Sequence, residues 1–343
     1  MSLNYERFKD KGLTGLANLG NTCFINSCMQ IFSHCYDFNI LLENIDISNM
    51  NQTIDSELLI EWIKLKDLMW SKNCIISPNR FINYIQTISK NKNIEIFTGF
   101  AQNDLPEFLI FVLDCFHNAL KRKVEINISG EVKNSRDILA KKCFEEIKNF
   151  YNRNLYSEIY NLFYGIHVSL IQSNDSNDIY SITPEPFSII NLPIPIDTKN
   201  SNIYDCFDLY TEQELLENDN AWFNEATQKK ENVLKFIKFW NFPEILIIDF
   251  KRFDNYGNKI NKIIDFPITN LDLSKYVIGY NNNNYIYNLF GICNHSGGCL
   301  GGHYTSIIKQ ANNKWYIFND TQIAEINNNF ISNKNYCLFY KKI

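Results

Sequence analysis

The feature that most constrains the fold is a change in the spacing of apolar residues near Tyr160. Before it, apolar side chains recur at helical spacing in four segments: 23–35, 54–70, 105–120 and 135–151. After it, four prolines exclude long helices: Pro184, Pro186, Pro193 and Pro195. The short apolar run 245–250 is typical of a buried strand. Helices followed by strands predict an α+β architecture, and we expect one large unit because no repeat or linker interrupts the chain.

Composition limits the classes of partner and the cellular compartment. The 343 residues are 45% hydrophobic, and 33 basic against 38 acidic residues give a net charge of −5. This charge argues against nucleic acid as the main partner and suits a basic protein partner. We expect no membrane span, because no run of about 18 apolar residues occurs. Residues 1–8 lack the apolar core of a signal peptide, so the ten cysteines are expected to be reduced thiols in the cytoplasm or nucleus.

A candidate nucleophile, Cys23, follows a loop rich in glycine and asparagine. The helical spacing begins directly after this loop, and Asn21 or Thr22 can cap the helix. Cys23 is therefore expected in the first turn, where unpaired backbone N–H groups and the helix dipole favour the thiolate. The alternative is a small buried hydrophobic residue, which is what most intracellular cysteines are.

A candidate base and its orienting group lie near the other end of the chain. A glycine-rich loop, residues 294–302, leads into a strand that begins at His303. A later strand ends in an amide and a carboxylate, Asn319 and Asp320. A cysteine nucleophile needs a base within hydrogen-bond reach and a third group that fixes the tautomer of the imidazole. Cys23, His303 and one of the two later residues supply this set.

The start of the long helix over 105–120 has two interpretations. Asp104 followed three residues later by Glu107 matches a capping box, and Pro106 is tolerated in the first helical turn. Carboxylates at a helix start can also bind a basic partner. The residues alone favour the cap and leave the second interpretation open.

Four stretches, in chain order, resemble the ubiquitin-specific protease family of cysteine deubiquitinases: GLANLGNTCFINS, FAQNDLPEFL, NFPEILIIDFKRF, and GGHYTSIIK with KWYIFND. The resemblance runs from about Gly15 nearly to the last residue. It implies a papain-like α+β fold arranged as a right hand and filling residues 13–343 after a short extension, 1–12. The helical thumb would cover about 13–160, the fingers about 161–236 and the antiparallel palm sheet about 237–343.

The resemblance also implies a role for each candidate catalytic residue. Cys23 would attack the carbonyl carbon of ubiquitin's terminal glycine, and His303 would act as the general base and then as the acid. Asn319 matches the third triad position, and Asp320 matches a neighbouring acidic residue that assists or substitutes. Asn18 matches the side chain of the oxyanion hole, which needs a donor aimed at the developing charge.

Ubiquitin, or a ubiquitinated protein, is the partner that the resemblance implies, and a monomer is expected. Five residues would contact ubiquitin: Gln102, Asp104, Glu107, Gly302 and Tyr304. Family members use the positions of Asp104 and Glu107 for ubiquitin's basic tail. The resemblance therefore shifts the interpretation of these two carboxylates towards substrate binding, although they can also serve as the cap.

No cofactor is expected. Many members of the family bind a structural zinc ion in the fingers through two CxxC pairs. The matching positions here are Gln172, Asp175, Asn224 and Thr227, none of which is a cysteine. Cys206 alone cannot form a zinc site, because structural zinc takes four ligands. The departure puts the zinc in doubt and leaves the protease chemistry untouched.

Three alternatives remain. The residue types of Cys293, His295, Cys299 and His303 suit a zinc knuckle, although their spacing is unusual. A ubiquitin-binding module that has lost catalysis is disfavoured, because every catalytic position implied by the resemblance is filled. The same chemistry directed at a ubiquitin-like modifier stays open, since the sequence does not reveal the geometry of the tail-binding channel.

Overall fold

The computed structural model describes residues 5–98, 103–176, 178–196, 200–280, 284–299, 301–327 and 330–343. Within these ranges the α-helices are α1 (Cys23–Ser33), α2 (Tyr36–Glu43), α3 (Ile54–Ser71), α4 (Asn79–Asn91), α5 (Leu105–Leu120), α6 (Ser135–Asn154), α7 (Glu158–Phe163) and α8 (Ile203–Tyr210). Seven of the eight therefore precede residue 164. In the part of the chain described, no helix is both long enough and apolar enough to cross a membrane.

The strands are β1 (Gly15–Leu16), β2 (Ile75–Ile76), β3 (Gly165–Ser173), β4 (Ile179–Phe187), β5 (Ile189–Leu192), β6 (Ser201–Asn202), β7 (Glu214–Leu216), β8 (Trp222–Asn224), β9 (Lys229–Glu231), β10 (Val233–Asn241), β11 (Ile245–Phe250), β12 (Ile264–Asp265), β13 (Leu271–Asp272), β14 (Ile286–Gly298), β15 (Gly301–Lys309), β16 (Trp315–Asn319), β17 (Gln322–Ile326) and β18 (Asn335–Lys342). All but β1 and β2 follow the helical region. This order confirms the predicted α+β class.

Helix α1 forms the centre of the molecule. The sequence predicts an amphipathic helix, yet all eleven of its residues are buried, because α1 lies between helix α5 and the large sheet. Two of its buried polar residues donate hydrogen bonds to backbone carbonyl oxygens of the preceding segment. Asn26 donates to the carbonyl oxygens of Leu16 and Ala17, and Gln30 donates to that of Thr14. These bonds fix the loop before Cys23 against the helix that Cys23 begins.

The large sheet has the strand order β17-β16-β15-β14-β18-β11-β5, with β13 paired to β14. Strand β5 runs parallel to β11, and the other neighbours are antiparallel. Every residue of β11 is buried, as the apolar run predicts. Ile247 packs in the core shared with the helices, whereas Ile248 packs in the core on the opposite face. The sheet is therefore covered on both faces around its centre.

A separate four-stranded sheet, β4-β3-β10-β7, is covered by α6, whose Ala140 and Cys143 share a small core with Val168 and Phe236. A two-stranded hairpin, β8–β9, lies in the same region of the chain. Strand β5 falls inside the stretch that the resemblance assigns to the fingers, but it pairs with the large sheet. The boundaries of thumb, fingers and palm remain predictions.

Candidate active site

The helix that carries the candidate nucleophile begins at Cys23, as the sequence predicts, with Thr22 at the N-cap position. Thr22 makes no side-chain cap hydrogen bond, contrary to expectation. Its hydroxyl instead accepts from the backbone N–H of Leu19 at 2.9 Å. The threonine therefore closes the preceding loop rather than the helix.

The surroundings of the Cys23 thiol oppose ionisation in this state. Only 2% of the residue is exposed, and burial raises the pKa of the thiol above its usual value. The backbone N–H groups of Tyr304 and Phe24 act in the lowering direction, and the Asp320 carboxylate raises the pKa further. The backbone N–H groups at the helix start favour the thiolate, as expected, but desolvation outweighs them and the pKa is raised.

His303 lies on β15 and is oriented from the neighbouring strand β16. Its Nε2 lies 2.6 Å from the side-chain oxygen of Asn319. An amide oxygen only accepts, so Nε2 of the neutral ring carries the proton and Nδ1 is left with a lone pair. The pair thus has the tautomer that a general base requires.

The nucleophile and the base come together because α1 packs against β15. The backbone N–H of Tyr304, the residue after His303, faces the Cys23 thiol. Among the described residues no hydrogen bond yet joins the thiol to the His303 ring. Contacts of this kind are often long before substrate binds.

Asp320 contacts other members of the site rather than His303. Its two carboxylate oxygens accept from the amide groups of Asn18 at 3.0 Å and Asn26 at 2.8 Å. Its backbone oxygen accepts from the N–H of Leu16 at 3.0 Å. Asp320 therefore joins the β16–β17 turn to the loop and helix that hold Cys23.

The amide orientation of Asn18 is fixed by the same network. Its oxygen accepts from the backbone N–H groups of Gly20 and Thr22, each at 3.1 Å. Its nitrogen donates one hydrogen to Asp320. The second hydrogen has no partner in the described part of the chain, and the side chain is exposed at the edge of the cleft. This leaves a positioned donor near the start of α1.

Tyr304, the residue after His303, lines a cavity of about 260 Å³ between the start of α5 and the β14–β15 hairpin. The lining also includes Asp104, Phe253, His295 and Tyr336. Asp104 occupies the N-cap position of α5 but makes no side-chain cap bond, so the predicted capping box does not form. Its carboxylate accepts from the hydroxyls of Tyr336 at 2.9 Å and Tyr304 at 3.4 Å. Partial burial raises the pKa of Asp104, and the Tyr336 hydroxyl opposes this shift.

The remaining predicted contacts surround the cavity or lie outside the described residues. Glu107 is exposed in the first turn of α5, where burial and then Asp104 raise its pKa. Gly302 pairs with Gly297 across the hairpin, and a Cβ at Gly302 would collide with the His295 ring. Gln102 lies outside the described residues. Sequence reasoning missed Phe253 and Tyr336, which resemble ordinary strand and loop residues.

Two of the four positions that match zinc ligands, Asn224 and Thr227, belong to a hydrogen-bonded cluster around Glu231. Asn224 donates to both carboxylate oxygens of Glu231 at 3.1 Å, and Thr227 donates to one of them at 2.5 Å. Cys206 is buried in the core around α8. Over the described ranges no group of three or more candidate ligands could hold a metal ion. The residues present therefore do not fit the zinc that the fold family implies.

The alternative zinc knuckle is contradicted by where its four residues lie. Cys293 is fully buried in the core shared with the helices, whereas Cys299 is exposed. His303 is bonded to Asn319, and Nδ1 of His295 faces the ammonium of Lys259. The four side chains do not converge, because β14 and β15 direct them to different partners.

The geometry is that of a cysteine hydrolase cleft, and comparison with known proteins gives its family. A profile described as "Ubiquitin carboxyl-terminal hydrolase" matches residues 14–340. The chain belongs to this family, which confirms the resemblance to ubiquitin-specific proteases.

Relatives in several organisms share the whole region. Identity is 30% over 341 residues with ubiquitin carboxyl-terminal hydrolase Usp2 of Drosophila melanogaster, covering 97% of this chain and 35% of the relative. It is 26% with the probable ubiquitin carboxyl-terminal hydrolase R319 of Acanthamoeba polyphaga mimivirus, covering 96% and 90%. The SAGA Ubp8/Sgf11/Sus1/Sgf73 DUB module bound to ubiquitin aldehyde has the same fold, with a TM-score of 0.74, 23% identity, and coverage of 100% of this chain and 72% of that chain. The chain spans about a third of the fly relative and about half of the mammalian relatives.

Proposed function

We propose that this chain is a thiol-dependent deubiquitinase that hydrolyses the peptide or isopeptide bond after the C-terminal glycine of ubiquitin. One observation carries the proposal. Cys23, at the start of a buried helix, lies beside the strand on which His303 is oriented by Asn319. Family membership supports the same chemistry.

Each step uses an atom of the site. Nδ1 of His303 takes the thiol proton as the Cys23 sulfur attacks the carbonyl carbon. The spare N–H of Asn18 and the backbone N–H of Cys23 stabilise the oxyanion. His303 returns the proton to the departing amine, leaving a thioester. A water molecule, deprotonated by His303, then attacks the thioester, and the thiol is released with the ubiquitin carboxylate.

The cavity beside the site suits an extended, basic peptide tail. Asp104 offers a carboxylate that its two tyrosine partners hold in place, and Glu107 adds a second negative charge near the entrance. Gly298 and Gly301 line the cavity and leave space for a peptide backbone. We therefore infer that the tail of ubiquitin reaches Cys23 through this cavity.

A reducing compartment, cytoplasm or nucleus, is part of the proposal. All ten cysteines are free thiols, and all of them except Cys74 and Cys299 are buried. The nucleophile must also stay reduced to act. Action as a monomer is proposed as well, and its test is the mass of the purified protein in solution.

Release of a fluorophore from the C-terminus of ubiquitin tests the function. We expect turnover by the wild type and none by Cys23→Ala, with ubiquitin binding retained in the variant. Parallel assays with ubiquitin-like modifiers test the substrate. Turnover by Cys23→Ala, or faster turnover of another modifier by the wild type, would contradict the proposal.

A further inference from the structure

His295 is a buried side chain of the cavity wall for which the proposed reaction gives no role. It lies on β14 directly opposite Tyr304 of β15, and 3% of the residue is exposed. Its ring centroid is 4.6 Å from that of Tyr304, 5.6 Å from Tyr336 and 5.9 Å from Phe253. Three aromatic rings therefore fix the plane of the imidazole.

Lys259 fixes the position of the ring proton. Its ammonium donates to the backbone oxygen of His295 at 2.6 Å and contacts Nδ1 at 3.1 Å. An ammonium group has donors only, so Nδ1 accepts. The neutral ring must then carry its single proton on Nε2.

The same surroundings keep the ring uncharged. Burial, followed by the charge of Lys259, lowers the pKa of His295 to about 4. The other titratable groups around the cavity are Asp104, Tyr304, Tyr336 and Cys299. Lys334, on the remaining side, contributes its carbonyl oxygen to the backbone N–H of His295 at 2.8 Å. Near neutral pH, His295 is therefore a donor without a charge.

His295 lines the cavity, and the ring nitrogen that Lys259 leaves without a hydrogen bond is Nε2. It has no hydrogen-bond partner within the ranges that the structure describes, although His295 itself is 97% buried by its neighbours. It faces the backbone of Gly302, where a Cβ would collide with it. Because Gly302 has no side chain, no Cβ fills the space beside Nε2, and Asp104 lines the same cavity as His295.

We propose that Lys259 holds His295 as a neutral N–H donor that binds a main-chain carbonyl oxygen of the substrate tail in the cavity. This inference rests on the proposed function. Asp104 supplies the charge that attracts a cationic side chain, whereas His295 reads the peptide backbone. A second positive charge on the wall would repel the basic tail, which is why a neutral donor suits the site.

Histidine-selective ¹⁵N NMR tests the fixed tautomer without any substrate. In the wild type, His295 is expected as the neutral Nε2–H form between about pH 5.5 and pH 8, assigned by comparison with His295→Gln. In Lys259→Met, one charge that lowers the pKa is gone, so the midpoint rises and the neutral form becomes a mixture of tautomers. Lys275→Met is the control, because Lys275 also covers an aromatic ring but lies elsewhere, paired with Asp208. A wild-type His295 protonated on Nδ1 would overturn the inference.

Steady-state kinetics with the ubiquitin fluorophore substrate test the contact itself. His295→Leu is expected to raise KM about threefold to tenfold with kcat within about twofold, because the bond forms in the ground state as well. His295→Gln, which keeps an N–H at a similar reach, should stay within about twofold of the wild type. An unchanged KM in a folded His295→Leu would refute the contact. Equal losses in both variants, at unchanged Tm, would also refute it.

The two proposals fail in different ways. A wild type that turns over no ubiquitin refutes the proposed function. An active wild type whose KM is unchanged by His295→Leu refutes only the present inference. Ubiquitin affinity measured in the Cys23→Ala background gives the same comparison without catalysis, and the loss in His295→Leu is expected to match the rise in KM.

Discussion

Two carboxylates, one in the active-site cleft and one in the β8–β9 hairpin, each accept hydrogen bonds from side-chain donors, but over very different distances along the chain. Asp320 accepts from Asn18 and Asn26, which are 302 and 294 residues away. Glu231 accepts from Asn224 and Thr227, which are seven and four residues away. The first cluster fixes the relative position of remote catalytic elements, whereas the second only closes a local hairpin.

This difference explains where the chain departs from its family. At Asn224 and Thr227, two of the four positions that match zinc ligands, hydrogen bonds to a carboxylate close the hairpin instead. The cleft needs particular donors and acceptors at fixed positions around a reacting carbon. Substitution in the cleft should therefore affect catalysis by orders of magnitude, and substitution in the hairpin should affect local order.

The largest expected effect comes from removing the orienter of the base. Asn319→Ala is expected to lower kcat/KM on the order of 10²- to 10³-fold, because the His303 ring loses the acceptor that fixes its tautomer. Ubiquitin affinity should change little. Gln322→Ala, on the next strand of the same hairpin, is the matched control. A smaller loss for Asn319→Ala than for Asp320→Ala, at unchanged folding, would transfer the orienting role to the carboxylate.

Asp320→Asn is expected to have a smaller effect, a loss on the order of ten- to a hundredfold in kcat/KM. Asparagine is chosen because it tolerates the positive φ of 51° at this position. The substituted amide has one acceptor oxygen where the carboxylate has two, so the hydrogen bond that holds Asn18 is lost. In an Asn18→Ala background, Asp320→Asn should therefore cause little further loss of kcat/KM. A double-mutant cycle measures this coupling between the two residues. Additive losses would separate Asp320 from the oxyanion donor.

The charge of Asp320 has a second, opposite effect. Because it raises the pKa of the Cys23 thiol, Asp320→Asn should lower that pKa, and the thiolate should form at lower pH. The pH dependence of alkylation by iodoacetamide at Cys23 measures the shift, with Asn18→Ala as the control that keeps the carboxylate. A midpoint that stays in place or moves to higher pH would contradict the electrostatic role.

Substitution in the β8–β9 hairpin is expected to have a local effect. Glu231→Ala should speed hydrogen exchange in β8–β9 and leave kcat within about twofold, because the hydrogen bonds of the cluster stay within the hairpin. The hydrogen bonds from Thr227 and Asn224 lower the pKa of Glu231. The protection of the hairpin from hydrogen exchange should therefore be full above the ordinary pKa of a glutamate carboxyl. It should fall as the pH drops through the lowered pKa of Glu231. A loss of activity as large as that of Asp320→Asn would remove the contrast between the two clusters.

The smallest expected effect is that of a chelator. The purified protein should contain no stoichiometric zinc, and chelation should leave its activity and melting temperature unchanged. Elemental analysis and an activity assay check this. One zinc per chain would contradict this prediction.

The sequence predicts a helix or strand correctly where the pattern that indicates it lies within a few neighbouring residues. The start of α1 at Cys23 and the buried strand β11 follow from periodicity and loop composition over a few residues. The capping role that the sequence favours for Asp104 is wrong, because the partners of its side chain, Tyr304 and Tyr336, are 200 and 232 residues away. A short pattern carries no information about such contacts.

The charge states of Cys23 and His295 also do not follow from local sequence patterns. The start of α1 suggests a thiolate at Cys23, but the burial that raises its pKa arises only when β15 and β16 cover the helix. Likewise, the pairing of Lys259 with His295 depends on a contact between a loop and a strand 36 residues apart. Resemblance to a family supplied the candidate residues, and the tertiary packing determines how their charges interact.

The most direct test of the account is covalent capture by ubiquitin that carries a thiol-reactive group at its C-terminus. Mass spectrometry is expected to show one ubiquitin adduct per chain, and peptide mapping should place it on Cys23. Cys299 is the internal control, because it is exposed and lines the cavity beside the site. An adduct on Cys299, or no adduct on a folded protein, would contradict the assignment of Cys23 as the nucleophile of a deubiquitinase.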